Sequence, residues 1–335
     1  MRNIFIVFVM VLLSSCAMTT MEPKKINGVS FVASRDTITS QHISPMININ
    51  ANYAAIMPFG FIKDIAHPQI IHNTERQWYG ETSNGARQYI SALKEKGINI
   101  MMKPQIWVWK GEFTGLIKMN TEEEWLQLEN AYKEFIIEYA KVAQDTKTEI
   151  LCIGTELENF VKYRPNYWKT LIDEIKVIYK GKLTYAANWN EYNKTPFWNQ
   201  LDFIGIDAYF PVSDLKTPTI EDCKNGWKKH KEEIIKTKET YNKPVLFTEF
   251  GYRSVDFAGK QPWKADMDMD QVNLEAQLNA THAIFDEFWE EDWFAGGFIW
   301  KWFHKHEAVG GLQDTQFTPQ NKPSENIIKE KYKMY

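Results

Sequence analysis

Glu149-Ile150-Leu151-Cys152-Ile153-Gly154-Thr155-Glu156 is a short apolar run closed by an acid, and Pro244-Val245-Leu246-Phe247-Thr248-Glu249 repeats the design much later in the chain. Apolar runs of this length read as strands buried on both faces, the kind that parallel sheets contain. Working outward from these two (149–155 and 244–249), runs of the same type lie near 27–33, 53–58, 98–103, 182–188, 202–208 and 295–301. Between them, helical spacing occupies 85–96, 121–145, 164–180, 219–241 and 270–291, with shorter or less regular pieces elsewhere. Strands alternating with helices predict parallel βαβ units, and eight of them predict an α/β fold of the (β/α)8, or TIM, barrel type. No Gly/Ser or Pro linker and no low-complexity tract interrupts residues 26–335, so a single domain is expected there.

Helix punctuation supports the pattern. Asn120 or Thr121 precedes Glu122, Glu123 and Glu124, a cap followed by acids that suit the positive end of a helix dipole. Lys96-Gly97 offers a basic last turn and a residue tolerant of the left-handed conformation.

Barrel strands alternate between interior and helix-facing residues. On the fourth strand this groups Leu151, Ile153 and Thr155 toward the helices and Cys152, Gly154 and Glu156 inward; on the seventh it groups Val245, Phe247 and Glu249 inward. Glu156 and Glu249 then reach the C-terminal face, where barrel enzymes carry their chemistry. Two acids converging there need a reason. Each taken alone could be in a structural ion pair with Arg253, Lys103 or Lys301. Together they have the makings of a retaining glycosidase, in which one protonated carboxyl assists the leaving oxygen and one carboxylate attacks the anomeric carbon. That mechanism expects the carboxyl groups roughly 5–5.5 Å apart, against roughly 6.5–9.5 Å for inversion. Glu158 shares parity with Glu156, but it opens the following loop, whereas Glu156 follows small residues at the strand end.

The remainder of the composition narrows the class. The formal charge of −4 and the absence of a basic stripe give no reason to expect a nucleic-acid partner. Thirteen Trp, 15 Tyr and 20 Phe are enough both to fill a core and to stack on sugar rings, so the total alone does not decide. Cys152 and Cys223 are too few for a disulfide framework and read as free thiols, Cys152 in the core. His304 and His306 lack a third ligand at zinc spacing, and there is no phosphate loop; no metal and no cofactor are expected. The N-terminus opens with Arg2, runs through an apolar segment from Ile4 to Leu13 and ends in Leu13-Ser14-Ser15-Cys16. It is too short to span a bilayer and fits a signal peptide over 1–15, followed by a short tether over 16–25. Cys16 resembles the acylated cysteine of a bacterial lipobox, which implies export and lipid anchoring to the cell envelope; ordinary secretion is the alternative.

Cys152-Ile153-Gly154-Thr155-Glu156-Leu157 and Leu246-Phe247-Thr248-Glu249-Phe250-Gly251-Tyr252 together resemble the large retaining (β/α)8 glycosidase clan A, and within it the family 113 β-mannanases. The clan most often has Asn before the acid/base; Thr155 departs from that pattern in a way family 113 shares. The resemblance extends over Lys103-Pro104-Gln105, Gly205-Ile206-Asp207-Ala208-Tyr209, Gly297-Phe298-Ile299-Trp300 and Phe317-Thr318-Pro319-Gln320-Asn321-Lys322-Pro323, nearly the whole mature chain. It implies Glu156 as acid/base, Glu249 as nucleophile, Tyr209 as a hydrogen-bond donor to Glu249 and Trp300 as the floor beside the cleaved bond. Lys103, Asn188 and Asp207 are candidates for sugar contact or support, and Trp107, Trp109 and Trp189 for either outer subsites or core. The implied substrate is β-1,4-mannan, glucomannan or their oligosaccharides, acted on by a monomer. Another β-glycan such as glucan or xylan, or glycan binding without catalysis, is the alternative; retention of both acids speaks against the last.

Overall fold

The computed structural model describes residues 24–265 and 271–335. The expected signal segment, Cys16 and nearly all of the expected tether lie outside the described residues. Eight strands close a parallel barrel in chain order: β1 Ile26–Phe31, β2 Tyr53–Ile56, β3 Asn99–Met102, β4 Ile150–Thr155, β5 Lys182–Asn188, β6 Ile204–Asp207, β7 Val245–Phe250 and β8 Phe294–Trp302. Around it run α1 Ser40–Asn48, α2 Ser83–Lys94, α3 Glu122–Asp145, α4 Glu158–Tyr163, α5 Pro165–Ile178, α6 Ile220–Tyr241, α7 Leu274–Phe288 and α8 Pro323–Met334. The expected barrel is therefore present, although β5 and β6 are joined by two 3-10 turns, Tyr192–Lys194 and Trp198–Gln200, where a helix would ordinarily stand. Thr121 is the cap of α3: its hydroxyl accepts from the Glu124 N–H at 3.2 Å, and the Glu124 carboxylate accepts from the Thr121 N–H at 3.1 Å.

Inside the barrel, Ile26, Ala55, Met101, Ile150, Cys152, Ala186, Phe203, Leu246 and Phe298 form a small apolar plug; a much larger cluster fills the layer between strands and helices. Cys152 and Cys223 are buried free thiols.

The strand faces require two corrections. Val245 and Phe247 belong to the helix-side cluster, where Phe247 meets Trp227, Phe288 and Phe294, while Leu246 points into the barrel. Strict alternation would then turn Glu249 toward the helices. It faces the mouth because Ile206 pairs with Phe247 and the next residue, Asp207, pairs with Glu249, a bulge that inserts Thr248. On β4 a bulge of the same kind lies between the pairs Cys152 with Thr184 and Thr155 with Ala186. Gly154 thereby turns toward the helix side, where a Cβ would stand 2.9 Å from Trp168 and from the Tyr132 hydroxyl, and Thr155 joins Glu156 at the mouth.

Outside the barrel rim, Phe59–Ile62 and Gln105–Val108 pair as a separate two-stranded parallel sheet beyond the ends of β2 and β3. It extends one wall of the mouth.

Candidate active site

The site begins with a buried cation. Lys103 directly follows β3, and its fully buried ammonium contacts both oxygens of Asp207, at 3.2 and 3.3 Å, and Glu249 Oε1. Burial opposes its charge, but the carboxylates of Asp207 and Glu249 outweigh that and raise its pKa. Asp207 ends β6 and also accepts from the Thr248 hydroxyl at 2.7 Å. Burial, then the nearby Glu249 charge, push Asp207 upward from the usual carboxyl range.

Glu249 receives two further donors, Gln105 Nε2 on Oε1 at 3.1 Å and the Tyr209 hydroxyl on Oε2 at 2.7 Å. With Lys103 they bind both oxygens of the carboxylate and fix its orientation. Ion pairing of Glu249 with Lys103 is thus real, while Arg253 is engaged elsewhere, donating from Nε to the Thr315 carbonyl at 3.1 Å.

Glu156 stands in the opposite setting. It lines a cavity of about 230 Å³ together with Glu249, Trp300, Thr155 and Gln105, and among the described residues no side-chain donor is found on its carboxyl. Its pKa is raised well above the ordinary value, first by burial and then by the negative charges of Asp207 and Glu249. Its backbone has φ of 51°, the left-handed region that costs a non-glycine residue roughly 1–3 kcal/mol. Glu158 starts α4, lies 3.8 Å from the Lys194 ammonium and lines neither this cavity nor the larger one beside it.

That second cavity, of about 1060 Å³, shares Trp300, Gln105 and Trp107 with the first and runs along Phe59, Phe61, Trp78, Trp109, Lys301 and Phe303. Trp107 and Trp109 are exposed by 54% and 56%, so they are walls of this groove and not core. Trp189 is different: it is half-buried, stacked on Trp263 at 5.0 Å, and lines neither cavity. Asn188 ends β5 with its side-chain Oδ1 buried and without a hydrogen-bond partner among the described residues, a free acceptor next to the mouth.

Glu156, Glu249, Lys103, Asp207, Tyr209, Trp300, Trp107 and Trp109 are therefore brought together, and Trp189 is set apart. Gln105 and Thr248 belong to the site as well, and no strand pattern marks either of them. Gln105 was visible inside Lys103-Pro104-Gln105, but nothing in a strand pattern says that a residue beyond the strand end turns back onto the seventh strand. His306 is occupied by Glu325 at 2.8 Å, and His304 packs on His42.

The model of Glycoside Hydrolase Family 113 matches residues 32–322. Among solved structures, the GH113 β-mannanase AaManA from Alicyclobacillus acidocaldarius, in complex with ManMIm, superposes with a TM-score of 0.81 at 22% identity, covering 93% of this chain and 98% of the other. A complex of a GH113 β-1,4-mannanase gives 0.80 at 20%, covering 93% and 100%. A Faecalibacterium prausnitzii β-glucuronidase gives 0.62 at 14%, covering 93% and 49%. No curated protein sequence matches the chain.

Proposed function

Because this chain belongs to glycoside hydrolase family 113, we propose that it hydrolyses β-1,4-mannosidic bonds in mannan, glucomannan or manno-oligosaccharides with retention of configuration. Glu249 attacks the anomeric carbon while the bond to the leaving oxygen breaks, and Glu156 delivers its proton to that oxygen. Water then enters, loses a proton to Glu156 and displaces Glu249, returning both groups to their starting states. The observation that carries this reading is the contrast between two acids in one cavity: Glu249 bound by three donors, Glu156 bound by none and pushed upward. Trp300 between the two cavities supplies an apolar face for the ring beside the cleaved bond, and Trp107 and Trp109 supply faces further out. The GH113 structures named above are β-mannanases, which supports mannan over the other β-glycans. Reducing-sugar release measured on mannan, glucan and xylan tests the choice, with the anomer of the first product followed by NMR. Activity on glucan or xylan with silence on mannan overturns the substrate, and an inverted first product overturns the mechanism.

The chain is also proposed to be exported and tethered to the cell envelope through acylated Cys16, on the strength of Leu13-Ser14-Ser15-Cys16 after an apolar run. Metabolic labelling with a fatty acid tests this: label should reach the wild type and not Cys16→Ser, and an unlabelled wild type removes the anchor.

A further inference from the structure

The acid of the pair is held by its backbone, and the holding runs through two buried residues that line neither cavity. Glu156 follows the β4 bulge with φ of 51°. Its N–H donates to the Ala186 carbonyl at 2.8 Å, its carbonyl accepts from the Thr114 hydroxyl at 3.2 Å, and the next N–H, that of Leu157, donates to the Tyr185 hydroxyl at 2.7 Å. The Tyr185 hydroxyl in turn donates to Glu191 Oε1 at 2.8 Å, and Glu191 Oε2 accepts from the Asn188 N–H at 3.2 Å. Tyr185 is fully buried, with its ring fixed between Trp168 at 5.7 Å and Phe197 at 5.5 Å; Glu191 is 2% exposed. A carboxyl sealed this deeply and held by neutral donors is costly to keep ionised, and burial pushes Glu191 up to about 8.

We propose that Tyr185 and Glu191 are positioning residues for the proton donor, a buried hydroxyl and carboxyl that clamp the Leu157 N–H and fix the left-handed backbone from which the Glu156 side chain enters the cavity. The proposal rests on the assignment of Glu156 as acid/base. The first of the two tight turns in the β5–β6 connection begins right after Glu191. The charged and titratable groups facing Glu156 are Asp207 on β6, Glu249 on β7, Lys103 after β3, Glu191 after β5 and Tyr209 after β6. Those facing Glu191 are Tyr185 on β5, Glu156 after β4, Glu158 on α4 and Asp207 on β6. Above about pH 8, where Glu191 is ionised, its removal takes one negative neighbour from Glu156 and eases the loss of the Glu156 proton.

The test compares Tyr185→Phe, Glu191→Gln and Glu156→Gln with wild type on a manno-oligosaccharide and on a dinitrophenyl β-mannoside, whose leaving group needs no proton. Tyr185→Phe should lower kcat on the oligosaccharide by about tenfold to a hundredfold, the scale of a small misplacement of a reacting group, with KM nearly unchanged; on the aryl glycoside kcat/KM, which reports the first step alone, should fall much less, because only the second step still needs Glu156 as base. Glu191→Gln should lose in the same direction and shift the alkaline limb of its pH profile downward. Equal losses of kcat/KM on both substrates, a change in KM alone, or wild-type kinetics in both brace variants while Glu156→Gln is impaired would overturn the proposal. Full oligosaccharide activity in Glu156→Gln would instead overturn the acid assignment itself. Thermal unfolding of each variant separates a local shift from loss of the fold, and Glu191→Gln, which keeps one acceptor, stands in where Tyr185→Phe does not fold.

Discussion

The ends of β4 and β7 present the same residue to the same cavity and treat it in opposite ways. At β7, Lys103, Gln105 and Tyr209 converge on the two oxygens of Glu249. At β4 the side chain of Glu156 has no such company, and the neighbouring machinery grips its backbone. Environment thus separates two chemically identical groups. On the roles proposed above, hydrogen bonds to the carboxylate would set up Glu249 as the attacking group, while burial beside other negative charges would keep a proton on Glu156.

The hardest test of that division is Glu249→Gln, which removes the attacking oxygen and should lower kcat on oligosaccharide by on the order of 10⁴-fold or more, while sparing sugar binding measured by calorimetry. Unchanged turnover would dissolve the contrast altogether. Lys103→Met comes next. It leaves Asp207 and Glu249 facing each other without their cation, and loss of one partner from a buried ionic cluster costs about 3–5 kcal/mol, readable in chemical denaturation. A variant as stable as wild type would show that the cradle does not depend on its central charge.

Glu156→Gln sharpens the other side. The wild-type rate should fall as pH rises through the raised pKa of Glu156, because the proton to be donated is then gone, and the variant should lose that alkaline limb together with most of its activity. The variant's stability moves opposite to its activity. A carboxyl raised in the folded state stabilises fully below its unfolded value near 4.5, and that contribution is lost as pH climbs through the folded value. The variant should therefore match wild type near pH 4 and be more stable at pH 7. The gap should widen by about 1.4 kcal/mol per pH unit while the folded chain keeps this proton and the unfolded chain has lost it. Equal melting temperatures at both pH values would mean that Glu156 is an ordinary carboxyl.

The barrel was legible because eight apolar runs alternating with helical spacing have few other ways to bury their faces. Both acids were legible because a charged residue closing such a run is conspicuous. Their route to the mouth was not: simple alternation put Val245, Phe247 and Gly154 on the wrong sides. One inserted residue per strand leaves no signature in a period-two pattern, and Thr155 and Thr248 were readable only once the register was known. Trp107 and Trp109 were visible as aromatics, yet their exposure depends on the small sheet of Phe59–Ile62 and Gln105–Val108, whose segments merge in the sequence with the strands before them. Trp189 shows the converse, an aromatic beside a site residue that stacks on Trp263 and lines neither cavity.

The ammonium of Lys103 has no surface open to solvent. Dissolved ions weaken electrostatic forces between groups that water can surround, and they weaken enclosed ones far less. Turnover should accordingly persist from dilute buffer into strong brine, where an enzyme relying on superficial charges to hold its attacking group would falter.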